Sequence, residues 1–355
     1  MHMRIAIAAA IGSIVTFSLM EMGPERVGGA PAMQGRKPPS GEIATFTKLP
    51  SLGSNAEAHG VNEAGTVVVG HSFDRGGLRY AVTWTLRNGS WVIAKLPYAG
   101  KAALAYGVSN AGDAVGYAGS SPRSPALWSV ASGYTTLGCA GEAGEALAIS
   151  GDGLVVVGHS SGRPLVWASS SACAESLPPL VPGVGAVARA VNGDGSIIGG
   201  YAAQVLQSTY GPVRWTGTAG ARRIEQLDLR PGSVFGANAA GDLAGQVTIA
   251  CALEGGCQRT VIWYAAGGST ELGTLGGEHS WSRDINTQQE VVGMSTSSGG
   301  FNTAYFWSQA TGMFPVAGNQ QVVANGLSDV RFDGTRLVVG MDAQANAAVW
   351  VVQTP

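Results

Sequence analysis

Seven tryptophans recur along the chain, at Trp84, Trp128, Trp167, Trp215, Trp263, Trp307 and Trp350, spaced by 44, 39, 48, 48, 44 and 43 residues. A period of this size marks an array of supersecondary units, none of which can bury its apolar face alone. Upstream of each tryptophan lies a short apolar run ending in glycine: Val67-Val68-Val69-Gly70, Ala114-Val115-Gly116, Val155-Val156-Val157-Gly158, Ile197-Ile198-Gly199, Leu243-Ala244-Gly245, Val291-Val292-Gly293 and Leu337-Val338-Val339-Gly340. Before that comes a small–x–small–aliphatic–Asn/Ser segment, clearest in Ala58-His59-Gly60-Val61-Asn62, Ala105-Tyr106-Gly107-Val108-Ser109 and Ala188-Arg189-Ala190-Val191-Asn192.

Each unit holds four short strand candidates; in the fourth they are 188–192, 196–201, 212–216 and 222–227. A tight turn separates the first two strands, as in Glu63-Ala64-Gly65, Ala111-Gly112-Asp113, Gly151-Asp152-Gly153 and Gly193-Asp194-Gly195. Such turns need positive φ, which glycine adopts freely. Pro125, Pro164 and Pro212 open third strands, where a missing N–H is tolerable. Four strands in about 40–45 residues make the blade of a β-propeller. The expected fold is therefore all-β, a seven-bladed β-propeller. The last unit stops before its fourth strand, whereas 44–49 forms a strand with no other home. That segment ends Lys48-Leu49-Pro50, as the first unit's fourth strand ends Lys95-Leu96-Pro97. An N-terminal strand closing the last blade would leave no open sheet edge.

Composition agrees. Hydrophobic residues make up 45% of the 355 and charged residues 12%, which opposes intrinsic disorder. The 54 glycines lack the every-third-residue period of collagen. A formal net charge of −2 with scattered Lys and Arg gives nucleic-acid binding no support.

Arg4 precedes an uncharged apolar run over 5–20, short for a membrane span, which needs about 20 residues, and shaped like a secretory signal. Residues 1–20 are thus expected to be a signal peptide or an N-terminal anchor. The stretch 21–42, rich in Pro and Gly, reads as a linker, and 43–355 as the propeller. Ala30-Pro31-Ala32 is the one tidy small–x–small cleavage candidate. Contact with a membrane is expected only through an uncleaved N-terminal segment. Four cysteines fit export: Cys251 and Cys257 flank a five-residue stretch, leaving Cys139 and Cys173 as a second pair, although four cysteines allow three connectivities. Without a CxxC or a neighbouring histidine they do not suggest a metal site, and no cofactor is expected.

The sixth unit carries Leu272-Gly273-Thr274-Leu275-Gly276-Gly277, Ser280, Ile285-Asn286, Val291-Val292-Gly293-Met294-Ser295 and Ala304-Tyr305-Phe306-Trp307. These residues resemble the HAF repeat of bacterial proteins regarded as extracellular, which reads roughly Leu-Gly-Thr-Leu-Gly-Gly, Ile-Asn, Val-Val-Gly-x-Ser, His-Ala-Phe-x-Trp. The other units keep Val-Gly and Trp. Asn302-Thr303 stands where the family has histidine before Ala-Phe. The resemblance implies an exported or surface protein, sometimes an autotransporter passenger, and implies no enzymatic activity.

Gly158-His159-Ser160-Ser161-Gly162 matches the G-x-S-x-G elbow, but that motif works on a strand-to-helix turn and no helix is expected here. His71 and His159 fill equivalent slots of different units, so the repeat alone accounts for them. Asp113, Asp152, Asp194, Asp242 and Asp333 fall in hairpin turns, where turn propensity explains them. Asp284 stands in a column otherwise held by Gly60, Gly107, Ala148, Ala190, Gly236 and Gly326, and reads as an ion-pair partner of Arg283 or a channel residue.

The residue before that small position varies between neighbours of fixed type: His59, Tyr106, Leu147, Arg189, Phe235, Arg283 and Asn325. It lies at the entry of the innermost strand, facing the mouth of the central channel. Arg, Tyr, His and Phe stack on sugars or grip anionic groups, so His59, Tyr106, Arg189, Phe235, Arg283 and Asn325 are the candidate binding residues. The function expected is an exported (secreted, cell-surface or periplasmic), non-enzymatic, monomeric binding or adhesion module for an extracellular glycan or protein ligand. A polysaccharide hydrolase or lyase acting through channel-mouth carboxylates, and a structural passenger or spacer, are the alternatives.

Overall fold

A computed structural model describes residues 45–354 apart from 101, 139–142, 172, 205–208 and 318–320. The 1–20 and 21–42 segments lie outside the described residues, as does Cys139. Among the described residues no helix is long and apolar enough to cross a membrane.

The described residues form seven sheets of four antiparallel strands, each following chain order outward except the last. This is a seven-bladed β-propeller. The innermost strands are Gly53–Val61, Ala103–Val108, Glu145–Ile149, Ala186–Val191, Gly232–Ala237, Gly276–Ile285 and Val323–Leu327. In the seventh blade the outer position is taken by Thr45–Lys48, which pairs with Ala347–Gln353 from Thr45↔Val351 to Lys48↔Ala348. The chain's own first strand closes the ring.

The periodic tryptophans sit between blades. Trp84, Trp128, Trp167, Trp215, Trp263 and Trp350 are buried, whereas Trp307 is half-buried. Trp84, Trp128 and Trp215 donate Nε1–H to the carbonyls of Pro50, Pro97 and Pro178 at 2.7, 2.8 and 2.8 Å. Each such proline follows the outer strand of the preceding blade, so the repeated Leu-Pro staples one blade to the next. The Asn/Ser position of the repeat is also explained. Buried Asn62, Asn192 and Asn238 accept backbone N–H groups of Val67, Ile197 and Asp242 across the hairpin, and Ser109, Ser150 and Ser328 do so for Asp113, Val155 and Leu337. The Gly65, Gly112, Gly153 and Gly195 turns have positive φ as expected.

The second-strand glycine has a steric cause. A Cβ at Gly70, Gly116, Gly158, Gly200, Gly245, Gly293 or Gly340 would stand 1.8–2.2 Å from a backbone carbonyl oxygen of the inner strand. Opposite each of them the inner strand bulges, so that two residues face one. In the fourth blade this glycine is Gly200, one residue beyond the end of the Ile197-Ile198-Gly199 run. Gly199 pairs with Ala190 and stands where the other blades keep a second apolar residue, packing instead against Val234.

Candidate functional site at the channel mouth

The register shifts occur between Ala58 and Gly60, Ala105 and Gly107, Ala146 and Ala148, Ala188 and Ala190, Val234 and Gly236, Ser282 and Asp284, and Ala324 and Gly326. The bulged residues are therefore His59, Tyr106, Leu147, Arg189, Phe235, Arg283 and Asn325, the variable column of the repeat. All seven line the central channel, which encloses about 520 Å³. The small column behind them permits this, because neighbouring inner strands nearly touch there. A Cβ on Gly60 would come within 2.6 Å of the Tyr106 carbonyl oxygen, and one on Gly236 within 2.9 Å of Asp284 Cα.

Asp284 does not pair with Arg283. Its Oδ2 accepts the Leu327 N–H at 2.9 Å and its Oδ1 the Ile285 N–H at 2.8 Å, so it bridges the sixth and seventh blades. Burial pushes this carboxyl up to about 7, against the pull of those amides. A carboxyl raised in the fold holds its proton more tightly folded than unfolded. Its stabilising contribution is complete below the ordinary value of 3.8 and is lost as pH rises through about 7. Asp284→Gly, which installs the residue found at this position in four other blades, should therefore compare better with wild type at high pH. Denaturant unfolding at pH 5 and pH 8 checks this; a pH-independent difference would mean the carboxyl titrates normally.

The sequence does not single out Glu57 or Glu145, yet both line the mouth. They sit opposite His71 and His159 in the first and third blades. Their one visible signal is a shared place two residues before the bulge. Glu57 accepts Asn325 Nδ2–H at 2.9 Å, which ties the first blade to the seventh. Glu145 accepts the Tyr106 hydroxyl at 3.1 Å and is also paired with Arg123. Burial pushes Tyr106 above the usual phenol range, with Glu145 adding to it.

His59 and His71 meet within one blade, with Nε2 and Nδ1 3.1 Å apart and the rings stacked at 5.3 Å. Burial pushes both down to about 4, helped at His59 by Arg283 and Arg79 and at His71 by His59 itself. Both are neutral near pH 7. Glu57, His59 and His71 bring ligand atoms within 4.8 Å of one another, the best candidate metal ligand set among the described residues. The guanidinium groups that depress His59 would equally repel a divalent cation.

Arg189, Phe235 and Arg283 come from the fourth, fifth and sixth blades. The Arg189 and Arg283 Cζ atoms lie 5.1 and 5.7 Å from the Phe235 ring centroid, and Arg189 also lies 5.3 Å from the Tyr201 centroid. Arg283 is pushed down by burial and then by Arg189, a like charge at close quarters. The opposite end of the channel carries acidic Glu63 and Asp329 among turns joined blade to blade. Asn110 Nδ2 donates to Glu63 Oε2 at 2.7 Å, Asp329 N to the Glu63 carbonyl at 3.0 Å and Thr287 N to Asp329 Oδ1 at 2.8 Å. The channel's two arginines thus lie at the bulge end, beside Glu57 and Glu145, whereas the hairpin end is acidic.

Gly158–Gly162 is no nucleophile elbow: Val155–Ser160 turns directly into the strand Arg163–Ala168, and Ser160 is buried. Cys251 and Cys257 form a disulfide, and Cys173 is also disulfide-bonded.

These features define a seven-bladed β-propeller with a polar, side-chain-lined central channel. The β-propeller domain of the Trilobed protease from Pyrococcus furiosus, whose structure is described as having an open velcro topology, matches with TM-score 0.53 and 9% identity, over 85% of this chain and 94% of that one. Two looser likenesses are a putative TolB from Agrobacterium tumefaciens, TM-score 0.45 at 13% identity over 59% and 74% of the two chains, and TolB from Acinetobacter baumannii, TM-score 0.41 at 12% over 82% and 81%. The first likeness shows the fold alone, and the other two carry no argument. No protein-family model matches the chain, and no curated protein does.

Proposed function

We propose that this chain is an exported, monomeric, non-enzymatic binding module that takes an extracellular glycan at the bulge end of its channel. The observation that carries the reading is the ring of bulges. One backbone device, repeated seven times, presents seven side chains of differing chemistry to a single concavity. Its volume of about 520 Å³ falls in the range of small-ligand sites, roughly 300–1,000 Å³, and suits a short run of sugar units better than a folded protein surface. The Cys251–Cys257 disulfide and the HAF-like sixth unit support an oxidising, extracytoplasmic setting.

The hydrolase or lyase reading finds less support, because the carboxylates of the mouth are already engaged by Asn325, Tyr106 and Arg123. A spacer has no use for six different side-chain types on one rim. Purified protein should be retained by at least one polysaccharide of a broad panel without releasing product, and Phe235→Ala with Tyr106→Ala should weaken retention about tenfold or more. Product release would overturn the non-enzymatic reading. Retention untouched by the double substitution would overturn the channel mouth as the site.

A further inference from the structure

Resting on that reading, we infer that the ligand is an acidic polysaccharide of the uronate class, whose carboxylate is held between Arg189 and Arg283. Arg189 and Arg283 are the arginines that line the channel. Arg123, Arg214, Arg230, Arg331 and Arg336 each meet a carboxylate within the protein. Arg189 and Arg283 form no ion pair within 4 Å among the described residues; both lie near the Phe235 ring, Arg189 also near Tyr201, and Glu57 acts on Arg283 from farther off. Arg189 Nε is buried and has no hydrogen-bond partner.

That arrangement is costly by itself. Like charges oppose each other, burial weakens the charged form of Arg283, and a buried N–H goes unused. An oxyanion between the two groups relieves all three penalties. A carboxylate suits the planar N–H fork of arginine, which grips it through two parallel hydrogen bonds. His59 and His71, neutral near pH 7, add no competing charge. Glu145 is neutralised by Arg123, and Glu57 is held by Asn325. The acidic hairpin end would repel a polyanion, so the ligand enters from the bulge end and stops there.

The test is calorimetric titration with digalacturonate, using maltose as a neutral control, a short poly-glutamate as an acidic peptide and a sulfated disaccharide as a second oxyanion. The expected result is digalacturonate affinity at least about tenfold above that for maltose, weakening as salt is raised. Arg189→Gln and Arg283→Gln should each lose about tenfold and the pair about a hundredfold, with thermal unfolding of the variants confirming intact folding. Arg75→Gln, exposed and not among the channel-lining residues, should bind as wild type. Maltose binding at the mouth equal to digalacturonate, indifferent to both arginine substitutions, would overturn the acidic ligand and leave the channel-mouth glycan site standing. Tighter binding of poly-glutamate would overturn the glycan, and tighter binding of the sulfated sugar would overturn the uronate. Digalacturonate binding unaffected by Arg189→Gln, Arg283→Gln and Phe235→Ala would overturn both this inference and the site. Failure to bind digalacturonate at all would overturn the uronate proposal.

Discussion

Gly340→Val is expected to cost about 3 kcal/mol or more of stability, read as a lowered urea midpoint at unchanged slope. At this position a Cβ would stand 1.8 Å from the Val323 carbonyl oxygen and 2.8 Å from its carbonyl carbon. The obstacle is backbone, so no rotamer relieves it. The strand pair must separate or the bulge at Asn325 must collapse. Gly77→Ala is the matched control. Gly77 has φ +76° and nothing within 4 Å of its would-be Cβ, so only the left-handed conformation is penalised, by about 1 kcal/mol. Gly340 is not at positive φ, so a loss no larger than that of Gly77→Ala would show that the inner-strand carbonyl yields and that the bulge does not explain the glycine of the Val-Gly pair. Because the bulge aims Asn325 at Glu57 and the Ala58 carbonyl, a folded Gly340 variant should also bind ligand more weakly.

Removal of residues 1–50 should cost still more, roughly 5 kcal/mol, and promote self-association through the exposed sheet edge. The truncation strips the outer strand Thr45–Lys48 from the seventh blade. It removes Leu49, which is 1% exposed, and the Pro50 carbonyl that accepts Trp84 Nε1–H at 2.7 Å. Ala347–Gln353 is left as a bare edge beside a Trp350 that has lost its contact with Phe46. The expected readouts are a thermal midpoint many degrees lower and an earlier elution volume on size exclusion. A truncated chain that stays monomeric with wild-type stability would mean that the other six blades hold the ring without this closure.

Most of the blade was legible because its determinants are local or periodic. Tryptophan, Leu-Pro, the Asn/Ser hairpin cap and the turn glycine each recur at one register, and each proves to have a separate physical task. The Ile197-Ile198-Gly199 run shows the limit of such reading. Two adjacent glycines fit the pattern equally well in sequence, and only pairing with Ala188 identifies Gly200 as the residue facing the bulge. The channel-lining column was legible as variation between mostly small neighbours. Its partnerships were not. Asp284 stands beside Arg283 in the chain, yet a bulge turns the two apart, and Asp284 bonds to Leu327 of the next blade.

The sequence by itself thus determined the number of blades, the closing strand and which seven residues vary at the rim, because these follow from repetition and backbone sterics. Closure of the ring decided the rest. It brought Glu57 to Asn325, across 268 positions of sequence. It also left Arg189 and Arg283 beside one phenyl ring with no ion pair among the described residues. Charge balance at a site is a property of distances between blades, and no single repeat contains them.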